Sequence, residues 1–191
     1  MTTAGETDLL LFSASPSETE CLGKLLAKGL DCGAVVLLVG ELGSGKTVFA
    51  RGIARGLGVT RRVTSPTYTF IAEYPEAEPP FIHMDLYRLN GVDAGQDGLG
   101  LDDYLNQGAV VAVEWPENTP GRFSGDRIKV LLKHDTETGR RLTLTAAGAA
   151  EKPVRGDPRR GHAPNQGAKS DQDDPGQGEG GHGSSCWRGV E

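Results

Sequence analysis

Cysteine, surplus basic charge and long apolar runs are all scarce in this chain. Its three cysteines, Cys21, Cys32 and Cys186, are scattered through 191 residues. An odd set without metal spacing fits a reducing cytosol better than a disulfide framework, and no zinc pattern is evident. No apolar run approaches the roughly 20 residues that span a bilayer. Met1 to Asp8 has no basic n-region of a secretory signal, so a cytoplasmic protein without membrane contact is expected. Lys and Arg total 20 against 26 Asp and Glu, a formal charge of −6. A protein that grips nucleic acid by itself draws on basic surface, and none is evident. Arg155, Arg159 and Arg160 form a small cluster diluted by Asp157 and later acids, which reads as a solvated linker. No Ser–His–Asp arrangement is evident.

Large apolar residues almost vanish after about Ala149, where Gly, Pro, Asp, Gln and Ser take over. Such a segment buries too little apolar surface to offset its ordering entropy. The expectation is therefore one folded domain over 1–148 and a disordered Gly/Pro/polar tail over 149–191. Cys186, beside Trp187 and Arg188, reads as an incidental tail thiol.

What is present begins with Gly40-Glu41-Leu42-Gly43-Ser44-Gly45-Lys46-Thr47, a complete G-x-x-x-x-G-K-[ST] phosphate-binding loop. Glycines let the backbone curl until successive N–H groups face an anion. Glu41 to Thr47 would thus cradle phosphates, Lys46 adding charge toward the β- and γ-phosphates and Thr47 offering a hydroxyl to Mg²⁺. The next helix would aim its positive dipole end at the same anion. Context supports the motif. Ala34–Val39 is an apolar run suited to a buried parallel strand. Phe49, Ala50, Ile53, Ala54 and Leu57 recur at helical spacing, with Gly58 placed as a C-terminal cap.

Elsewhere, Leu9–Phe12 reads as a strand, and Ser15-Pro16-Ser17-Glu18 as a capping box with proline at the first helical position. The helix it opens carries Leu22, Leu25, Leu26 and Leu30 on one face. Thr69–Tyr74, Phe81–Leu86 and Val110–Glu114 read as strands, 90–100 as irregular and acidic, and Leu101–Asn106 as a short helix. Ile128–Lys133 and Arg141–Thr145 form a closing antiparallel hairpin. The fold class is α/β: a mixed, largely parallel sheet flanked by helices, with the phosphate loop at a strand's carboxyl end.

Mg²⁺ bound beside phosphates usually takes one or two carboxylates. Asp85 and Glu114 each end an apolar strand, and either suits the strand-end acid role of nucleotide hydrolases; each also reads as a solvated acid. Ser65-Pro66-Thr67-Tyr68, about twenty residues after the loop, is placed like a switch segment whose Thr follows the γ-phosphate, and equally reads as a turn. Trp115 would lie near the nucleotide or a partner, or simply pack. His83, in alternation with Asp85, points either way.

Taken in order, Gly40–Thr47, Ser65–Tyr68, His83-Met84-Asp85-Leu86-Tyr87-Arg88-Leu89 and Val113-Glu114-Trp115-Pro116-Glu117 resemble the TsaE family over about residues 9–146. TsaE is the small bacterial ATPase of tRNA N6-threonylcarbamoyladenosine synthesis. The resemblance implies a P-loop NTPase fold and a Mg²⁺-dependent ATPase. It implies TsaD-like and TsaB-like partners, which transfer threonylcarbamoyl to adenosine 37 of tRNA, with tRNA met only indirectly. The ATP cycle would support turnover of that complex, with slow hydrolysis alone. Lys46 falls on phosphate, Thr47 on Mg²⁺, Asp85 and Glu114 on the metal and the attacking water, and Thr67 on the switch-like segment. One family feature is missing. Gln96–Tyr104 keeps the second half of the pattern Glu-x-x-x-x-Gly-[Leu/Ile]-x-[Asp/Glu]-Tyr but has no Glu in the first.

Two other readings share the loop. A small-molecule kinase needs a lid with clamping arginines, and Arg61, Arg62, Arg88 and Arg122 are scattered instead. A nucleotide-binding regulatory subunit with little hydrolysis would use both acids for binding only. One prediction follows from composition alone. Removing the chain from about Lys152 onward should leave the melting temperature nearly unchanged in a thermal melt; a fall beyond about 4 °C, roughly 1 kcal/mol, would mean the tail docks on the core.

Overall fold

The computed structural model describes residues 8–89 and 100–147. All lie in the first of the chain's two units, Met1–Pro153; the second, Val154–Glu191, is outside the described residues. So are the expected tail, Cys186, the arginines at 155, 159 and 160, and most of the acidic stretch over 90–100.

The elements run β1 (Asp8–Ser13), α1 (Pro16–Ala27), β2 (Val35–Val39), α2 (Lys46–Gly56), β3 (Ile71–Tyr74), β4 (Phe81–Asp85), α3 (Leu101–Leu105), β5 (Val110–Glu114), a 3₁₀ turn (Pro116–Asn118), β6 (Arg127–His134) and β7 (Arg140–Ala147). One mixed sheet takes all seven strands in the order β1-β7-β6-β2-β5-β4-β3. Its centre, β6-β2-β5-β4, is parallel. β7 with β6, β1 with β7, and β3 with β4 pair antiparallel toward the two edges. The expected hairpin is β6–β7. β4 and β5 are buried at every position and β2 at its three central ones, as parallel strands covered on both faces must be.

Alternation divides the apolar residues between two layers. Val36, Leu38, Val110, Ala112, Val130 and Leu132 pack with Phe49, Ala50, Ile53 and Ala54 of α2. Leu37, Val111, Val113, Ile82 and Met84 face the other way, toward Leu86, Leu89 and Leu101.

Local signals act largely as expected. Ser15 Oγ accepts the Glu18 N–H at 3.2 Å. Glu18 reaches back to the Ala14 N–H at 2.8 Å, one residue before the usual box partner. Gly58, at φ +91, follows α2, with Gly58 N–H to Arg55 O at 3.3 Å and Val59 N–H to Ala54 O at 3.0 Å. That pair of bonds is a Schellman ending, which only a residue at ease with positive φ allows. The strand expected from Thr69 starts at Ile71, because Phe70 sits at φ +62 and its N–H turns back to Pro66 O at 2.7 Å.

The face of α1 differs from the leucine stripe. Leu25 is 54% exposed, and the buried positions are Thr19, Gly23 and Ala27, supported by Leu22, Leu26 and Leu30. Small residues set this face because α1 lies very close on α2. A Cβ on Gly23 would collide with the Phe49 carbonyl oxygen, and one on Gly52 with that of Glu20. Apolar periodicity does not reveal such a seam, since glycine carries no apolar side chain. Gly52→Ala should therefore cost about 2 kcal/mol through forced separation of the helices, a melting point lower by roughly 8 °C. Leu25→Ala should change stability by less than about 0.5 kcal/mol. Thermal melts of the two variants check this; a Gly52→Ala protein as stable as wild type would refute the close crossing.

Candidate functional site

Every polar group of interest lies at the edge where the central parallel strands end. β2 runs straight into the Gly40–Thr47 loop, β4 ends on Asp85 and β5 on Glu114. Register makes these ends level: Leu38 pairs with Glu114, and Glu114 with Asp85. Neighbouring strands are spaced about 4.8 Å apart, so two acids far apart in sequence become neighbours beside the loop.

The loop takes backbone conformations that glycine favours: φ is +153 at Gly40, +77 at Gly43 and +100 at Gly45. Gly45 is the N-cap of α2 and provides no side-chain cap, which leaves the helix's first N–H groups as donors. Lys46 is buried. Its Nζ donates to the carbonyls of Gly40 at 2.7 Å and Glu41 at 2.8 Å, and lies 3.8 Å from the centre of the Trp115 ring. Loss of water around the ammonium lowers its pKa below 10.5, against the opposing pull of Glu114, Glu117 and Asp85. The folded state thus binds the Lys46 proton less readily than the unfolded chain. Its cost to stability is present at neutral pH and fades as pH rises toward 10.5. The buried Ser44 hydroxyl has no protein partner, and Glu41 and Leu42 are exposed at the loop's rim. A buried orphan hydroxyl, a desolvated ammonium and free helix-start amides all suit a bound oxyanion.

Trp115 reaches Lys46 because its backbone is left-handed, at φ +60, before Pro116 opens the 3₁₀ turn. Its indole also meets the Tyr87 ring at 5.0 Å. An apolar-sided cleft of about 490 Å³ runs from Trp115 and Glu117 past Gly40 and Glu41 to Leu131 and Lys133.

Both acids are held on both oxygens. Glu114 Oε2 accepts the Thr47 hydroxyl at 3.1 Å, and its Oε1 lies 2.8 Å from His83 Nε2. A carboxylate only accepts, so with Glu114 ionised Nε2 carries the proton. His83 Nδ1 is buried without a partner. Asp85 Oδ2 accepts from Thr67 Oγ1 at 2.7 Å and from Ser65 Oγ, while Oδ1 accepts the Tyr87 N–H at 3.0 Å. The Ser65 and Thr67 hydroxyls are 2.7 Å apart.

Lys46, Thr47, Glu114 and Trp115 thus form one connected group, and Thr67 joins Asp85. Sequence reasoning left His83 open; it pairs with Ala112, two residues before Glu114 on β5, a placement legible only once β4 and β5 were known to be neighbours. Ser65 was seen as part of a motif, not as a ligand of Asp85. Arg140 was missed, for no local pattern singles it out. Among the scattered arginines, Arg61 bonds Glu76 at 2.6 Å, Arg88 lies over Tyr68 at 4.5 Å, and Arg122 meets Asp102 at 3.4 Å. Among the described residues no cluster of three or more His, Cys, Asp or Glu could hold a metal by itself. A hard cation sharing Thr47 and an acid with phosphate oxygens needs no such cage. No described helix is long and apolar enough to cross a membrane.

Comparison with known proteins agrees with this architecture. The family model described as "Threonylcarbamoyl adenosine biosynthesis protein TsaE" matches residues 13–142. The tRNA threonylcarbamoyladenosine biosynthesis protein TsaE of Bacillus subtilis (strain 168) is 40% identical over 136 residues, covering 71% of this chain and 84% of that protein. The Streptomyces coelicolor protein of the same name is 40% identical over 135 residues, 66% of this chain and 89% of its own. The crystal structure of Bacillus subtilis YdiB superposes with a TM-score of 0.66 at 35% identity, covering 76% of this chain and 90% of that one.

The His83–Glu114 contact generates a test of its own. His83→Leu leaves Glu114 Oε1 buried beside an apolar group, which should cost about 1–3 kcal/mol. His83→Gln, which keeps a side-chain N–H donor, should recover part of the loss. Denaturant unfolding of both variants measures this, and a leucine variant as stable as wild type would show the contact to be energetically idle.

Proposed function

The chain belongs to the TsaE family, and from that membership we propose that it binds and hydrolyses ATP with Mg²⁺ in tRNA threonylcarbamoyladenosine biosynthesis. Its turnover would serve a TsaD–TsaB-like transferase pair in the cytosol, with tRNA met only through those partners. The observation that carries the reading is the register that sets Asp85 and Glu114 side by side next to Thr47 of the phosphate loop.

In this reading the loop amides and Lys46 bind the phosphates, and Lys46 exchanges the Gly40 and Glu41 carbonyls for phosphate oxygens. Mg²⁺ supplies charge neutralisation at the β- and γ-phosphates. Thr47 offers its hydroxyl to the cation, and Asp85 and Glu114 hold the cation's water shell or orient the attacking water. Ser65 and Thr67 keep Asp85 in one rotamer, His83 keeps Glu114 in one, and Trp115 shields the ammonium from water. In this reading Thr67, on the switch-like segment, would sense the γ-phosphate. The small-molecule kinase gains no support, since Arg61, Arg88 and Arg122 are taken up by separate protein contacts and Arg62 is left exposed beside Arg61.

A carboxylate that acts where charge moves affects turnover more than affinity. Asp85→Asn and Glu114→Gln should each lower turnover at least about tenfold while changing nucleotide affinity by less than about threefold; Lys46→Ala should lose both. Wild-type turnover should rise when a TsaD–TsaB-like pair is added. The measurements are nucleotide binding and ADP release, with and without the pair. Acid variants that turn over like wild type would remove those residues from the chemistry. Binding without any ADP release, alone or with partners, would favour the regulatory-subunit reading.

A further inference from the structure

Arg140 is the first residue of β7, far from the phosphate loop in sequence. Because β7 runs antiparallel to β6, its start returns to the edge where β2 ends. There its guanidinium donates from Nε to the Ser44 carbonyl at 3.1 Å and from Nη2 to the Gly43 carbonyl at 3.2 Å. Nη1 donates to the Gly139 carbonyl at 2.8 Å. All three partners are neutral carbonyls. Among the described residues no carboxylate pairs with Arg140, so its full charge stands against the loop.

The peptide plane turns this contact into a statement about the other side of the loop. In a trans peptide the C=O and the following N–H point in opposite directions. Drawing the Ser44 carbonyl toward β7 turns the Gly45 N–H away from β7, and drawing the Gly43 carbonyl does the same for the Ser44 N–H, which meets Glu41 O at 3.1 Å. Gly43 and Gly45 have the positive φ that this path demands. The hairpin also touches the loop at its start, where Gly40 lies so close to the Leu132 carbonyl that a Cβ would collide with it.

We propose that Arg140 is a positioning residue for nucleotide binding: it holds the Gly43 and Ser44 carbonyls outward, so that the loop keeps its path and the Gly45 amide is set for phosphate before the nucleotide arrives. The inference rests on the nucleotide reading given above and adds a residue to it. A pre-set loop need not be ordered at the moment of binding, so the gain lies in affinity for any phosphate chain that fills it. An arginine that reaches the transferred phosphoryl group would act on turnover instead.

The test uses the full chain with Arg140→Gln and Arg140→Lys, folding being checked by thermal melt. Dissociation constants are measured for Mg-ADP and for a non-hydrolysable Mg-ATP analogue, and turnover at saturating ATP with the partner pair. Loss of the brace should weaken both ligands about equally, on the order of tenfold, with saturated turnover within about twofold of wild type. Lysine, which can reach one carbonyl but not both at once, should fall between; it decides the matter if the glutamine variant does not fold. Unchanged affinity in a folded variant overturns the brace. So does lost turnover at wild-type affinity, which would make Arg140 a group acting on the reacting phosphate. Failure of the wild-type chain to bind either nucleotide would overturn the nucleotide reading itself and the brace with it.

Discussion

The parallel register of β2, β5 and β4 is the constraint on which the site depends. Each of these strands is short and largely buried, and each delivers its chemical residue only at its carboxyl end or just after it. A slip of one residue in either pairing would turn the strand's apolar side chains to the opposite layer. The two apolar layers therefore hold the register, and the register holds Glu114 level with both Leu38 and Asp85. The precision of the polar edge derives from the packing of the apolar middle.

That edge is crowded with groups that are costly to bury alone. Lys46 is satisfied by carbonyls and an indole face, Glu114 by Thr47 and His83, and Asp85 by Ser65, Thr67 and a backbone N–H. Among the described residues Lys46 makes no direct ion pair with a carboxylate; the charges sit near one another, each with hydrogen-bond partners of its own. Such an arrangement keeps the ammonium available for an incoming anion, whereas a tight pair would first have to be broken. The contacts that satisfy the side chains also fix their rotamers, which is what positioned chemistry requires.

Support for the loop comes from elements that share no sequence pattern with it. The glycine seam between α1 and α2 brings the helix that follows the loop firmly against its neighbour, and the β6–β7 hairpin closes on the loop from the other side through Leu132 and Arg140. Each depends on close backbone approach or backbone carbonyls. Neither leaves a trace in apolar periodicity, which is why Leu25 was grouped on one face with Leu22, Leu26 and Leu30, and Arg140 given no role.

The amino-acid sequence by itself determined the phosphate loop, the strand before it and the helix after it, the capped first helix, the closing hairpin and the two strand-end acids. Those features arise from local chemistry: glycine's tolerance of positive φ, side-chain caps, and alternation along a single strand. It also carried four ordered motifs that mark the TsaE family. Only the tertiary structure decided that His83 bonds Glu114, that Ser65 and Thr67 share Asp85, that Trp115 covers Lys46, and that Arg140 grips the loop. Each of these joins different elements, and which elements become neighbours is set by strand order and register. No window along the chain contains that information, because it resides in the packing of the whole sheet.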